Sequence, residues 1–430
     1  MTIAQALTEL LDPPTELTAK QLPPLKIALL GYRSAPHVGG QGIYLKYLSS
    51  ALAELGHEVH VYSGPPYPDL PQNVSLIKVP SLDLYACDNH VTALRLRHLK
   101  SFTDTWEWWS MLTGGFAEPY TFGRRICRLL QHQQYDIVHD NQSLCYGLLK
   151  LQNHGAKVVA TIHHPVHRDR EIAIAAQRDW GMRLLVRRWY SFINMQEKVV
   201  RNLQHLVTVS HTSQRDINNH FKLGQPAQVI PNGIDTTLFK PLANVKKSPC
   251  RLITTASSDQ PLKGLKYLIL ALKEVSQTIP QIELRIIGQL GEQSENQQLI
   301  NRLNLGKNVS FTTGISSEQL VMEYNQARIA VCPSLYEGFG LPAGEAMACE
   351  LPVVSTDGGA LPEVIGDAGM VVPQANATAL AQAIIHLLHH PEQAQALGER
   401  ARERIVANFC WHRVAQQLTN YYREILAQRC

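Results

Sequence analysis

The chain has 430 residues, 45% hydrophobic and 18% charged, with a formal net charge of +4. That length exceeds what one hydrophobic core sustains and implies two domains; so small a charge argues against nucleic acid as a partner. No run reaches the ~20 uninterrupted apolar residues of a membrane span. The first twenty residues carry acids and prolines rather than a basic, apolar leader. Eight cysteines, without a CxxC pair or zinc spacing, read as reduced thiols of a cytoplasmic protein.

In chain order, Lys26-Ile27-Ala28-Leu29-Leu30-Gly31 is a short apolar run closed by glycine and predicts a buried strand. The glycine-rich turn Gly39-Gly40-Gln41-Gly42 follows it. Tyr44, Leu48, Ala51, Leu52 and Leu55 then recur at helical spacing, with Gly56 where a helix ends. Val59 and Val61 alternate in a second strand, completing a βαβ unit of a parallel sheet. Strands are predicted again at 136–139, 157–162 and 206–210. Residues 240–250 are polar with two prolines and mark the end of an interdomain connection. A second series then supplies strands at 252–256, 284–287, 309–312, 329–332, 353–356 and 370–372, with helices at 265–278, 318–327 and 377–389. A last helix, Trp411 to Leu426, lies beyond it.

This pattern predicts an α/β protein of two Rossmann-like, doubly wound parallel-sheet domains. The divisions are an extension at 1–24, a first domain at 25–230, a connection at 231–250, a second domain at 251–409 and a helix at 410–430 that could return to the first domain.

Two glycine-rich turns carry the chemistry. Gly39, Gly40 and Gly42 let backbone N–H groups approach an anion, although such turns also serve packing. They do not form the dinucleotide fingerprint, and no acid closes the strand at Val61-Tyr62, which disfavours a dehydrogenase. The stretch Glu337-Gly338-Phe339-Gly340-Leu341-Pro342-Ala343-Gly344-Glu345 runs from a strand end into a helix. The amides of Phe339, Gly340 and Leu341 would point at a negative group, and two carboxylates flank the turn as acceptors for vicinal hydroxyls.

Glu337 and Glu345 at this spacing resemble the two-glutamate motif of the retaining glycosyltransferase family 4, which has the GT-B fold. The resemblance extends from about residue 25 almost to the end. It takes in Pro231-Asn232-Gly233-Ile234-Asp235, Leu262-Lys263-Gly264 and Gly358-Gly359-Ala360-Leu361-Pro362-Glu363. It implies transfer of a hexose from a UDP- or GDP-linked donor to an acceptor hydroxyl, with no metal and no other cofactor. It implies that Glu337 contacts the donor hexose, that Gly338 and the three amides bind sugar or phosphate oxygens, and that Glu345 holds the ribose. Lys263 would neutralise the diphosphate, Gly40 and its neighbours would close over it, and His163 would stand beside the sugar.

One position departs from the family: Ser258 stands where an arginine usually completes a phosphate clamp with the lysine. Arg168 and Arg170, just after His163, are candidates for that second charge or for an acceptor contact; an ion pair with Asp169 is the alternative. The acceptor is open between a glycan, a lipid-linked sugar and a small molecule. Trp106-Glu107-Trp108-Trp109 and the basic, apolar segment 178–203 are candidate surfaces for it, or for weak contact with the inner face of a membrane. The rival functions are a sugar-nucleotide epimerase or hydrolase on the same scaffold and a non-catalytic nucleotide-sugar sensor.

Overall fold

Two all-parallel sheets carry the chain. The computed structural model describes residues 23–428 apart from 36–39, 88, 90–92, 176, 178, 256–259, 290 and 292–293. The first domain alternates β1 (Lys26–Gly31), α1 (Gly40–Glu54), β2 (Glu58–Ser63), β3 (Ser75–Lys78), α2 (Phe102–Leu112), α3 (Glu118–Leu130) and β4 (Ile137–Asn141). It continues with α4 (Tyr146–Asn153), β5 (Val158–Ile162), α5 (His167–Ala175), α6 (Trp180–Trp189), α7 (Ile193–Asn202), β6 (His205–Thr208), α8 (His211–Phe221) and β7 (Gln228–Val229). Its strands run in the order β3-β2-β1-β4-β5-β6-β7. Helices cover both faces of a parallel sheet, so its central strands read as unbroken apolar runs. Ile27, Ala28, Leu29 and Leu30 are accordingly fully buried.

The second domain repeats the plan. Its elements are β8 (Arg251–Thr255), α9 (Leu265–Thr278), β9 (Glu283–Ile287), α10 (Glu295–Arg302), β10 (Val309–Thr312), α11 (Ser317–Gln326) and β11 (Ile329–Cys332). Then come α12 (Leu341–Ala348), β12 (Val353–Thr356), α13 (Leu361–Ile365), β13 (Met370–Val372), α14 (Ala377–His389) and α15 (Pro391–Asn408). The strand order is β10-β9-β8-β11-β12-β13. In each sheet the winding reverses beside the first strand, at β1/β4 and at β8/β11. Ligands of such folds bind beyond the strand ends at that point.

The last helix, α16 (Trp411–Ala427), returns to the first domain. Its Trp411, Val414, Leu418, Tyr422 and Ile425 pack with Leu25, Ile27, Leu48 and Leu52. At the crossing the Ile234 amide donates to the Phe409 carbonyl at 2.7 Å. Trp411 stacks on Tyr47 at 5.8 Å and meets Tyr44 edge-on at 5.5 Å. A Cβ on Gly233 would lie 2.2 Å from the Trp411 ring, so only glycine fits beneath it.

The basic, apolar segment divides in two. α7 buries Ile193, Met195, Val199 and Val200, whereas no described residue of α6 is buried. Trp180, Met182, Leu184 and Leu185 are exposed, and Arg178 lies outside the described residues. Within the tryptophan cluster Glu107 turns inward to Arg125 at 2.7 Å, while Trp106 and Trp109 face solvent.

Trp411→Ala would leave a cavity where the two domains meet. The expected cost is about 3–5 kcal/mol, read as a lower urea midpoint; an unchanged midpoint would contradict this packing.

Candidate active site

The second domain presents the loop between β11 and α12, held by backbone contacts too close for side chains. The Leu335 amide donates to the Leu262 carbonyl at 2.8 Å. Gly264 has φ of 64°, and a Cβ there would stand 1.9 Å from the Pro333 carbonyl oxygen. This close approach brings Lys263 Nζ to 2.8 Å from Glu337 Oε1, which also accepts from Ser334 Oγ at 2.8 Å. From behind, the Ala360 amide donates to the Glu337 carbonyl at 2.9 Å, and a Cβ on Gly359 would meet that same carbonyl at 2.2 Å. Gly340, with φ of 103°, turns the chain into α12.

The first domain faces this loop with the ends of β4 and β5. His163 follows β5, and its Nε2 lies 2.8 Å from Asn141 Oδ1. Its backbone N–H donates to Gln142 Oε1 at 2.7 Å, and Gln142 Nε2 donates to the His164 carbonyl at 2.9 Å. Tyr44 packs edge-on against the ring at 4.7 Å. Burial, with smaller contributions from His164 and His139, pushes the His163 pKa down to about 3. The imidazole is therefore neutral at neutral pH. Asn141 and Gln142 were not singled out from the sequence. The signal available was a polar run, Asp140 to Ser143, closing a strand that opens on the apolar Ile137 and Val138.

Between the two lies a cleft of about 390 Å³, a size usual for small-molecule sites. Gly40, His163, Lys263, Glu337, Gly338, Phe339, Gly340, Leu341 and Glu345 all line it. Gly42 does not: a Cβ there would meet the Ala35 carbonyl at 2.1 Å, so close packing accounts for that glycine. Gly39 and Ser258 lie outside the described residues, as does the side chain of Arg168. Arg170 sits on α5 and is not among the lining residues, which leaves Lys263 as the one Lys or Arg among those described. Asp169 pairs with His164 at 3.0 Å. Asn232 also lines the cleft, and its buried Oδ1 has no partner among the described residues. Among those residues no three His, Cys, Asp or Glu side chains gather as a metal site.

Glu345 receives one weak hydrogen bond, from Tyr324 OH at 3.3 Å, and burial lifts its pKa to about 7. A folded-state pKa raised from 4.5 means that the stability it confers is lost as pH rises toward 7. Glu345→Gln removes that loss. Its melting temperature relative to the parent should climb between about pH 5 and pH 8, by the equivalent of up to about 3 kcal/mol. Parallel stability–pH curves would refute the buried, protonated carboxyl.

Residues 38–238 match the family described as Glycosyltransferase Family 4, and residues 240–404 the one described as Glycosyl transferases group 1. The chain is 42% identical, over 94% of its length and 99% of the relative's, to an MMP alpha-(1->4)-mannosyltransferase of Mycolicibacterium hassiacum. It is 27% identical to a glycogen synthase of Mycobacterium tuberculosis, over 93% and 94% of the two chains. The solved sucrose-phosphate synthase of Thermosynechococcus elongatus superposes with a TM-score of 0.69 at 26% identity, over 94% of this chain and 99% of that one. Two parallel-sheet domains, the cleft between their strand ends and these matches along nearly the whole length agree: the chain belongs to glycosyltransferase family 4 and is a GT-B glycosyltransferase.

Proposed function

We propose that the chain transfers a hexose, mannose before others, from a UDP- or GDP-linked donor to a hydroxyl of a glycan acceptor, with retention and without a metal. The observation that carries this reading is the Lys263–Glu337 pair at 2.8 Å, set beside the N-terminus of α12 on the cleft wall. Lys263 and the amides of Phe339, Gly340 and Leu341 meet the diphosphate, where negative charge grows as the anomeric C–O bond breaks. Glu337, released from Lys263 by the incoming phosphate, accepts hydroxyls of the hexose, and Glu345 accepts those of the ribose. Asn232, with its unpartnered Oδ1, offers a further acceptor to the donor. The acceptor oxygen forms the new bond on the face the diphosphate leaves, and its proton passes to the departing phosphate oxygen. The choice of mannose rests on the relative from M. hassiacum.

The test is nucleotide release from UDP- and GDP-hexoses, with and without glycan acceptors and with EDTA. Release that requires an acceptor, persists in EDTA and yields product with the donor's anomeric configuration by proton NMR is expected. Release without an acceptor would indicate a hydrolase or epimerase, and binding without release a sensor. Lys263→Ala and Glu337→Gln should each lower kcat by about 10²–10³. Near-parental turnover in either would remove the assignment.

A second observation bears on location. Leu96, Leu99, Phe102, Trp109 and Leu112 around α2, and Trp180, Met182, Leu184 and Leu185 on α6, are all exposed. The two helices are joined by Arg188, whose Nη2 donates to Thr113 Oγ1 at 3.3 Å. Exposed tryptophan and leucine among Arg95, Arg97, Lys100, Arg183 and Arg187 suit weak docking on an anionic membrane. Co-sedimentation with phosphatidylglycerol vesicles at low salt, released at high salt and lost in Trp180→Glu/Leu184→Glu, is expected. No sedimentation at low salt would refute it.

A further inference from the structure

The hydrogen bonds around His163 determine which of its ring nitrogens carries the proton. Asn141 Nδ2 donates to the Gln41 backbone carbonyl at 3.0 Å. A carbonyl oxygen only accepts, so the Asn141 amide cannot be turned round without placing two acceptors against each other. Its Oδ1 is therefore the atom 2.8 Å from His163 Nε2, and that nitrogen must donate. A neutral imidazole with Nε2–H has its lone pair on Nδ1. Nδ1 makes no hydrogen bond among the described residues, and the ring lines the cleft. Gln142, bonded to the His163 N–H and to the His164 carbonyl, fixes the backbone that carries the ring.

We propose that Asn141 is a positioning residue that fixes His163 as the Nε2–H tautomer, so that His163 accepts, through Nδ1, a hydrogen bond from a hydroxyl of the bound sugar. Only the last step rests on the function proposed above. The selection follows from the chemistry: a sugar hydroxyl at this point must donate, and a substituent that only accepts meets a lone pair. The groups around the ring leave its charge state to burial. His164 on the same loop and His139 on β4 oppose protonation. Tyr44 on α1 presents its ring edge, and across the cleft Lys263 and Glu337 are paired with each other.

The test begins on the full chain without ligand, labelled with 15N-histidine. His163 is assigned by its disappearance in His163→Gln, and long-range 15N–1H spectra read its tautomer. The parent should show neutral Nε2–H from about pH 8 down to about pH 5.5. Asn141→Ala should lose that preference. Asn141→Asp, which keeps the acceptor but adds a charge, should retain Nε2–H and titrate at higher pH. Nδ1–H in the parent, or an unchanged tautomer in Asn141→Ala, overturns the proposal. A misfolded alanine variant leaves the parent and aspartate spectra to decide.

The second stage uses nucleotide-linked hexoses in which each hydroxyl in turn is replaced by fluorine, which accepts but cannot donate. One position should lose about tenfold or more in kcat/KM with the parent and little with His163→Ala. If no position behaves so, the acceptor role is wrong. Absence of transfer from every donor would instead defeat the proposed function and leave the spectra standing.

Discussion

Where the two domains meet at the cleft, one side of the contact is a bare backbone. The Gly338 carbonyl accepts from Ser210 Oγ at 2.8 Å and from Ser213 Oγ at 3.1 Å, and Ser213 Oγ also reaches the His163 carbonyl at 3.2 Å. A Cβ at residue 338 would stand 3.1 Å from that histidine oxygen. The glycine therefore lets the second domain's loop come within hydrogen-bonding reach of the loop after β5. The position of Glu337, Lys263 and the α12 amides relative to His163 depends on this contact. Beside it, Glu363 of α13 accepts from the His211 and Thr212 amides at 2.7 and 2.8 Å, capping α8 from the opposite domain. A carboxylate at a helix N-terminus meets both the free N–H groups and the helix dipole. The motif Gly358 to Glu363 thus supports the Glu337 loop and clasps the neighbouring domain.

The electrostatics of the cleft are set by burial as much as by charge. Glu345 and His163 are both displaced toward their neutral forms, one upward and one downward, by loss of water. The Lys263–Glu337 pair cancels internally. The one cation among the described lining residues is thus matched by Glu337, with Asp235 a further acid on the wall. On the function proposed above, a diphosphate would draw Lys263 from Glu337 and free that carboxylate for a neutral polyol. That one substitution of partners would turn a closed ion pair into two recognition elements of opposite sign, suited to a molecule anionic at one end and hydroxylated at the other.

The fold was legible because parallel strands covered on both faces leave unbroken apolar runs. β1, β11 and β12 could be placed almost to the residue from such runs. The edge strands β3, only half-buried, and β7, two residues long, leave no such trace. The loop from Glu337 to Glu345 was legible for another reason: glycines clustered between two carboxylates at a strand end form a distinctive pattern, even though Gly338 and Gly344 also answer to close packing, against the His163 carbonyl and Ile234. Gly42 shows the limit of that logic, since the same residue type in the same kind of turn answers to the Ala35 carbonyl rather than to the cleft. α6 shows another, because an amphipathic pattern specifies an apolar face without saying whether anything covers it.

Asn141 and Gln142 were illegible for a deeper reason. Their meaning comes from the pairing of β4 with β5, which sets Asn141 opposite Thr161 and so two residues from His163. A buried amide on a strand end has no periodic signature, and its role exists only once register places a histidine beside it. The C-terminal helix extends the same dependence. Tyr422 bonds His139 Nδ1, His139 Nε2 lies 2.7 Å from Thr161 Oγ1, and Thr161 meets the hydroxyl of Tyr44, whose ring packs on His163. This chain of buried polar groups ties the returning helix to the cleft through the interior of the first domain, where unpaired groups are costly. The polar contacts between the domains at Gly338 and Glu363, by contrast, are hydrogen bonds worth about 1–3 kcal/mol net each. The domains are thus joined by apolar packing at Trp411 and Ile234 and by polar contacts at Gly338 and Glu363. That distribution of strength fits a site whose mouth must admit and release a ligand while the geometry behind His163 stays fixed.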